Sequence, residues 1–288
     1  MSQLKKALEK AKKEKKSFVI EGQGHAKGIE PLPKDRGVSS EMKLKEAPGR
    51  DAVEVPPPTY FQTRCVQVDP EKLVDRKVFS ILQEDEVGDQ YKLLRTMVLN
   101  RTRPLGHSTI EITSFREGDG KSLTCVNLAI TLAKEPRQNV LLIDMDLRRP
   151  TIHRILGIEP KPGLRDYFVN NTPLKDILIH PGIERLTVLP AGGRMDNSTE
   201  IIGSHRMENL IRKIKNRYQD RYVIFDVPSL NTCSDALVLS SYVDGILLVA
   251  RANHTTTEDI TSGMPLLKDK HILGVVLNDT EISRGWTY

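Results

Sequence analysis

Three short stretches carry side chains whose types and spacing suit phosphate chemistry. In "SFREGDGKSLT", residues 114–124, Gly118 and Gly120 permit a tight turn that aims backbone N–H groups at phosphate oxygens. Lys121 and Ser122 add a cation for the β/γ-phosphates and a hydroxyl for a magnesium ion. The spacing fits the phosphate loop G-x-x-x-x-G-K-[ST] except at its first position, where Phe115 replaces glycine. "LLIDMDLRRP", residues 141–150, ends an apolar run with Asp144 and Asp146, two carboxylates pointing the same way at a strand's carboxyl end. "YVIFDVP", residues 222–228, puts Asp226 in the same position on another strand. Taken together these predict a nucleotide site, with Glu117, Gly118, Asp119, Gly120, Lys121, Ser122 and Leu123 as its cradle.

Such groups need a frame that brings strand ends together. Short Val-, Ile- and Leu-rich runs at 108–113, 139–144, 185–190, 221–227, 244–250 and 272–278 read as buried strands. Helical stretches alternate with them, among them "KSLTCVNLAITLAKE" and "HRMENLIRKIKNRY". A further helix over "DEVGDQYKLLRTMVLN" sets Val87, Tyr91, Leu94 and Val98 on one face. The pattern predicts an α/β fold, a mainly parallel sheet flanked by helices on both faces, whose carboxyl edge is where ligands bind.

Composition bounds the rest. The 288 residues are 38% hydrophobic and carry a formal net charge of +5. Residues 1–16 hold seven lysines against two glutamates, so the excess belongs to one arm and the remainder is neutral. No basic face, and hence no nucleic-acid partner, is expected. Leu4, Ala7, Leu8 and Ala11 give that arm a weak apolar stripe, suited to a solvated helix or to an anionic membrane surface. Residues 17–83, with "PLPKDRG" and "PPP", read as a largely irregular linker; residues 84–280 form the expected domain and 281–288 a tail. Cys65, Cys125 and Cys233 are far apart and in no metal-ligand spacing, which suits free thiols. No run reaches eighteen apolar residues and the N-terminus lacks a secretory apolar region, so a cytoplasmic protein is expected.

The deviant loop, the L-[IL]-D-x-D-x-R-[RK]-P motif and the I-x-D-x-P motif together resemble the bacterial tyrosine kinases, or BY-kinases. These are the cytoplasmic kinase domains of capsule and exopolysaccharide export systems, within the MinD/ParA-type P-loop NTPases. The likeness spans about residues 84–280. It implies transfer of phosphate from magnesium ATP to tyrosine. In that scheme Ser122 and Asp146 hold Mg²⁺, Asp226 reaches it directly or through water, and Asp144 takes the tyrosine proton. Asp89, Lys92 and Arg95 resemble the family's subunit-contact helix, which implies a homo-oligomer; a solvated charged face is the other reading. Asn278 resembles the adenine-reading residue of MinD-type ATPases, or caps a strand end. Arg148 meets a phosphate or a neighbouring subunit. The resemblance also implies a membrane polysaccharide co-polymerase as activator and a peripheral place at the inner membrane. The chain departs from the family in its loop, where Glu117 replaces a proline, and in its tail, where Tyr288 stands in for a tyrosine cluster. A regulatory ATPase of the same fold, without tyrosine transfer, is therefore the alternative, although Arg116 occupies the place of that group's signature lysine.

Overall fold

The computed structural model describes residues 63–136, 138–217 and 221–280. One sheet contains β1 (Arg64–Cys65), β2 (Thr109–Ser114), β3 (Asn139–Asp144), β4 (Ile179–His180), β5 (Leu186–Leu189), β6 (Arg221–Asp226), β7 (Gly245–Arg251) and β8 (Ile272–Asn278). The spatial order is β1-β4-β5-β3-β6-β2-β7-β8. Every neighbouring pair is parallel except β4 with β5, so only β1 and β4 run against the rest. The six expected strands are present with each end within one residue of its predicted position.

The central strands are buried on both faces; β3, β6 and β7 are largely apolar, whereas β2 alternates Ile110 and Ile112 with the buried polar residues Thr109, Glu111 and Thr113. Ile110 and Ile112 of β2, Val140 and Leu142 of β3, and Leu247 and Val249 of β7 enter one layer. That layer is closed by α1 (Pro70–Asp75), α2 (Glu86–Thr102), α3 (Lys121–Ala133) and α4 (Ile152–Leu156), through residues such as Leu73, Val98, Leu128 and Leu156. The alternate side chains, Leu141, Ile143, Phe225 and Leu248, enter the second layer. There they meet α5 (Leu164–Asn170), α6 (Ser198–Ile202), α7 (His205–Arg217) and α8 (Asp235–Leu239), while α9 (Thr257–Gly263) follows β7. Glu111 of β2 is a charged-type residue in this second layer's register, fully buried, with no hydrogen-bond partner for either carboxylate oxygen. Burial pushes its pKa well above the ordinary glutamate value, which Lys270 only partly offsets.

The expected linker is too long at its C-terminal end. Residues 64–81 are built into the domain. β1 pairs with β4, Val66 N donates to His180 O, and Ser80 N donates to the Asn127 side chain in α3. Leu73 and Val78 are fully buried, and the Asp69 carboxylate caps α1 by accepting from Glu71 N. A two-residue strand and a six-residue helix are too short to show a hydrophobic period, so this segment reads as irregular in sequence. The expected arm over residues 1–16, most of the linker and the tail 281–288 lie outside the described residues.

Candidate nucleotide site

The loop from β2 to α3 takes its shape from two glycines, neither at the position Phe115 fills. Gly118 and Gly120 adopt φ of 89° and 93°, the left-handed region open to glycine, and Gly120 is the N-cap of α3. A Cβ on Gly120 would also lie 2.1 Å from the Asn278 side-chain nitrogen. Phe115 is fully buried in the second layer, its ring against Gly263. The standard first glycine is thus replaced by a core residue. The N–H groups of Lys121, Ser122 and Leu123 open α3 and have no carbonyl partner within it, which leaves them for an anion.

Asp119 does something other than line the cradle with its side chain. Fully buried, its carboxylate accepts from Arg116 N at 2.9 Å, from His254 Nδ1 at 2.9 Å and from Thr255 Oγ1 at 2.7 Å. Asn278, at the end of β8, donates its amide to Asp119 O at 2.9 Å, and Arg251 reaches Gly118 O at 3.4 Å. The loop is held from behind by the ends of β7 and β8. Glu117 is exposed and paired with Arg149 across the loop's mouth.

The aspartates converge as their strand positions require. Asp144 and Asp226 are register partners on the adjacent parallel strands β3 and β6, so their side chains stand side by side. Lys121 Nζ lies 2.9 Å from Asp146 Oδ2, 3.5 Å from Asp226 Oδ1 and 3.2 Å from Ser122 Oγ. Burial works against the Lys121 charge, but Asp226 and Asp146 outweigh it and hold its pKa above the ordinary lysine value. Burial, with the neighbouring Asp226 charge, pushes Asp144 well above the usual carboxylate range. Burial raises Asp226 as well, against the pull of Lys121. Asp144 Oδ2 accepts from Thr151 N and Ile152 N, both at 3.1 Å, whereas Oδ1 is buried with no hydrogen-bond partner. Asp226 Oδ2 is likewise buried and unpartnered, while its Oδ1 meets the Cys125 thiol at 3.6 Å. Cys125 is a buried free thiol, and burial raises its pKa well above the ordinary value. Among the described residues no three His, Cys, Asp or Glu side chains form a metal cage. Magnesium does not need one: it takes one or two carboxylates and fills the remaining positions with phosphate and water. The orphaned Asp226 oxygen and the Asp146 carboxylate, with the Ser122 hydroxyl near Lys121, fit that donor set.

Other predicted residues fall elsewhere. Arg148 turns away from the phosphate loop, to Asp235 Oδ2 at 3.4 Å and Thr199 Oγ1 at 3.2 Å, and so joins the β3 loop to α6 and α8. On α2, Lys92 pairs with Asp89 at 2.8 Å on the surface, but Arg95 is 19% exposed and bonded to Glu135 and to Thr131 O at the end of α3. Arg95 therefore ties two helices of one chain together and is not a free surface charge. Tyr167 and Tyr242 pack on the second layer, and Tyr222 is buried with its hydroxyl 2.6 Å from Thr102 Oγ1. Nothing in the sequence marks Arg251, His254 and Thr255 as site residues, because they meet the loop only through the packing of β7 beside β2.

Residues 107–268 match the model of the AAA domain family. The tyrosine-protein kinase YwqD of Bacillus subtilis is 30% identical over 219 residues, covering 75% of this chain and 91% of that protein. Among solved structures, the chimerical protein CapA2B2 aligns with a TM-score of 0.66 and 27% identity, over 78% of this chain and 95% of its own. MinD from Pyrococcus horikoshii complexed with Mg-ADP aligns with a TM-score of 0.50 and 25% identity, over 62% of this chain and 72% of its own. Motifs, sheet order and relatives agree: the chain belongs to the bacterial tyrosine kinase (BY-kinase) family, on a MinD-like P-loop NTPase fold.

Proposed function

We propose that the protein is an ATP-dependent protein-tyrosine kinase that regulates exopolysaccharide or capsule polymerisation and export. The observation that carries this reading is the Asp144 carboxylate: one oxygen is fixed by two backbone N–H groups and the other is buried without a hydrogen-bond partner. A carboxylate held this way, with its proton affinity raised by burial, suits a general base for a phenol. The loop N–H groups and Lys121 bind the β- and γ-phosphates of ATP, and Ser122, Asp146 and Asp226 hold the magnesium ion. Bound magnesium supplies positive charge to the phosphate oxygens. The tyrosine oxygen forms its bond to the γ-phosphorus, its proton passes to Asp144 Oδ1, the bond from that phosphorus to the β–γ bridging oxygen breaks, and ADP leaves. Lys121 stabilises the charge that builds on that oxygen.

In this reading the kinase acts in the cytoplasm beside a membrane polysaccharide co-polymerase that activates it. Among the described residues no helix is long and apolar enough to cross a membrane. Self-association uses the exposed Asp89 and Lys92 end of α2, and the lysine-rich residues 1–16 add contact with anionic lipid. Asn278 braces the loop through Asp119 O, and in this reading it also reads the adenine edge. The test is whether label from γ-phosphate-labelled ATP reaches tyrosine, measured separately from free phosphate. Phosphate release without labelled tyrosine, with the co-polymerase tail present, favours the regulatory ATPase instead.

A further inference from the structure

The loop behind the phosphate cradle contains a titratable group outside the scheme above. His254 Nδ1 lies 2.9 Å from Asp119 Oδ1, and the edge of the ring bearing Cε1 and Nε2 lies 3.4 and 3.6 Å from where a Cβ on Gly118 would sit. Asp119 is fully buried and His254 about one-third exposed, so protons reach the ring but water does not solvate the carboxylate. An ionised carboxylate only accepts, so Nδ1 carries hydrogen in either charge state of the ring, and the second proton goes on Nε2, against Gly118.

The other charges around the ring are paired, apart from Glu258, which stands in solvent. On the phosphate loop, Arg116 pairs with Asp259 of α9 at 3.8 Å and Glu117 pairs with Arg149. On the ring's own loop, Arg251 pairs with Asp279 at 2.7 Å, and Glu258 of α9 is exposed. What remains is the buried Asp119 charge, and the proton on His254 is what neutralises it. Without that proton a negative charge stands directly behind a loop built to receive polyphosphate. With it, the repulsion is removed and a second N–H donor faces the loop.

We infer that His254 is a positioning residue of the nucleotide site, acting through Asp119, and that its protonation strengthens the hold of the loop on a nucleoside polyphosphate. The inference rests on the reading of this loop as a nucleotide site.

The test is calorimetric titration of the full chain with ADP in excess magnesium at pH 6 and pH 8, at constant ionic strength. Wild type, His254→Gln and His254→Lys are compared with the same nucleotide, so its own titration cancels. Wild-type affinity falls about three- to tenfold from pH 6 to pH 8, the size of a unit charge acting over roughly 8 Å near a protein surface. His254→Gln binds with the weaker affinity at both values, and His254→Lys, which carries fixed charge, with the stronger. A brace with only a structural role lowers affinity equally at both pH values. A pH slope retained in both variants overturns the inference and leaves the nucleotide site standing. No ADP binding by wild type at either pH overturns the site itself.

Discussion

The Lys121 ammonium group lies 2.9 Å from the Asp146 carboxylate and 3.5 Å from that of Asp226, so one buried cation offsets two acids. The arrangement ties the phosphate loop to both aspartate-bearing strands. Replacing the cation should cost the site its hold on phosphate and leave the acids to repel each other.

Lys121→Met should weaken MgATP or MgADP binding about 10- to 100-fold, the range of charge-assisted hydrogen bonds lost to a bound anion. Calorimetry on wild type and mutant checks this. Equal affinities would remove Lys121 from the site.

Glu111 predicts an unusual pH dependence of stability. Its pKa is raised in the fold, so its neutral form is the one the folded state favours. The stability it allows is fully present below the unfolded pKa of about 4.3 and is lost as pH rises through the folded pKa. Glu111→Leu, which removes the unpartnered carboxyl, should therefore stabilise the protein by about 1–3 kcal/mol at pH 8 and by less at pH 5. Urea titrations at the two pH values measure the difference. A mutant that is less stable than wild type at pH 8 would show that the carboxyl has a partner in solution.

On α2 the two basic residues should behave differently. Arg95→Ala should lower stability by about 1–2 kcal/mol, because it strips Glu135 and Thr131 O of a half-buried partner. Lys92→Glu should leave stability nearly unchanged and shift the light-scattering mass of the nucleotide-bound protein toward monomer. A wild-type protein that is monomeric with nucleotide would refute the assembly reading.

Much of this frame was legible in the sequence, for physical reasons. Strands covered on both faces are largely apolar, which makes β3, β6 and β7 plain as runs, whereas β2 alternates Ile110 and Ile112 with polar residues. Asp144 and Asp226 break such runs at their ends, where a charge has no structural use. Features set by neighbours across the sheet were not legible. The pairing of Asp119 with His254 spans 135 residues and depends on β7 lying beside β2. Arg95 has the spacing of a subunit contact, but its pairing with Glu135 depends on α3 packing against α2, and the inclusion of residues 64–81 rests on Leu73 and Val78 fitting a core built from distant helices.

The central claim is that Asp144 takes a proton from tyrosine while the loop delivers phosphate. It is tested most directly by incubating the full chain with MgATP and the cytoplasmic tail of the proposed co-polymerase, then mapping modified peptides by mass spectrometry. The wild-type protein should acquire phosphate on tyrosine, Tyr288 being the acceptor in its tail, at a rate that rises with pH as Asp144 gives up its proton. Asp144→Asn should still bind nucleotide and should lower that rate by about 10²- to 10⁴-fold, the usual contribution of a general base. Phosphotyrosine formed equally fast by Asp144→Asn, or free phosphate released by wild type with every tyrosine unmodified, would contradict it.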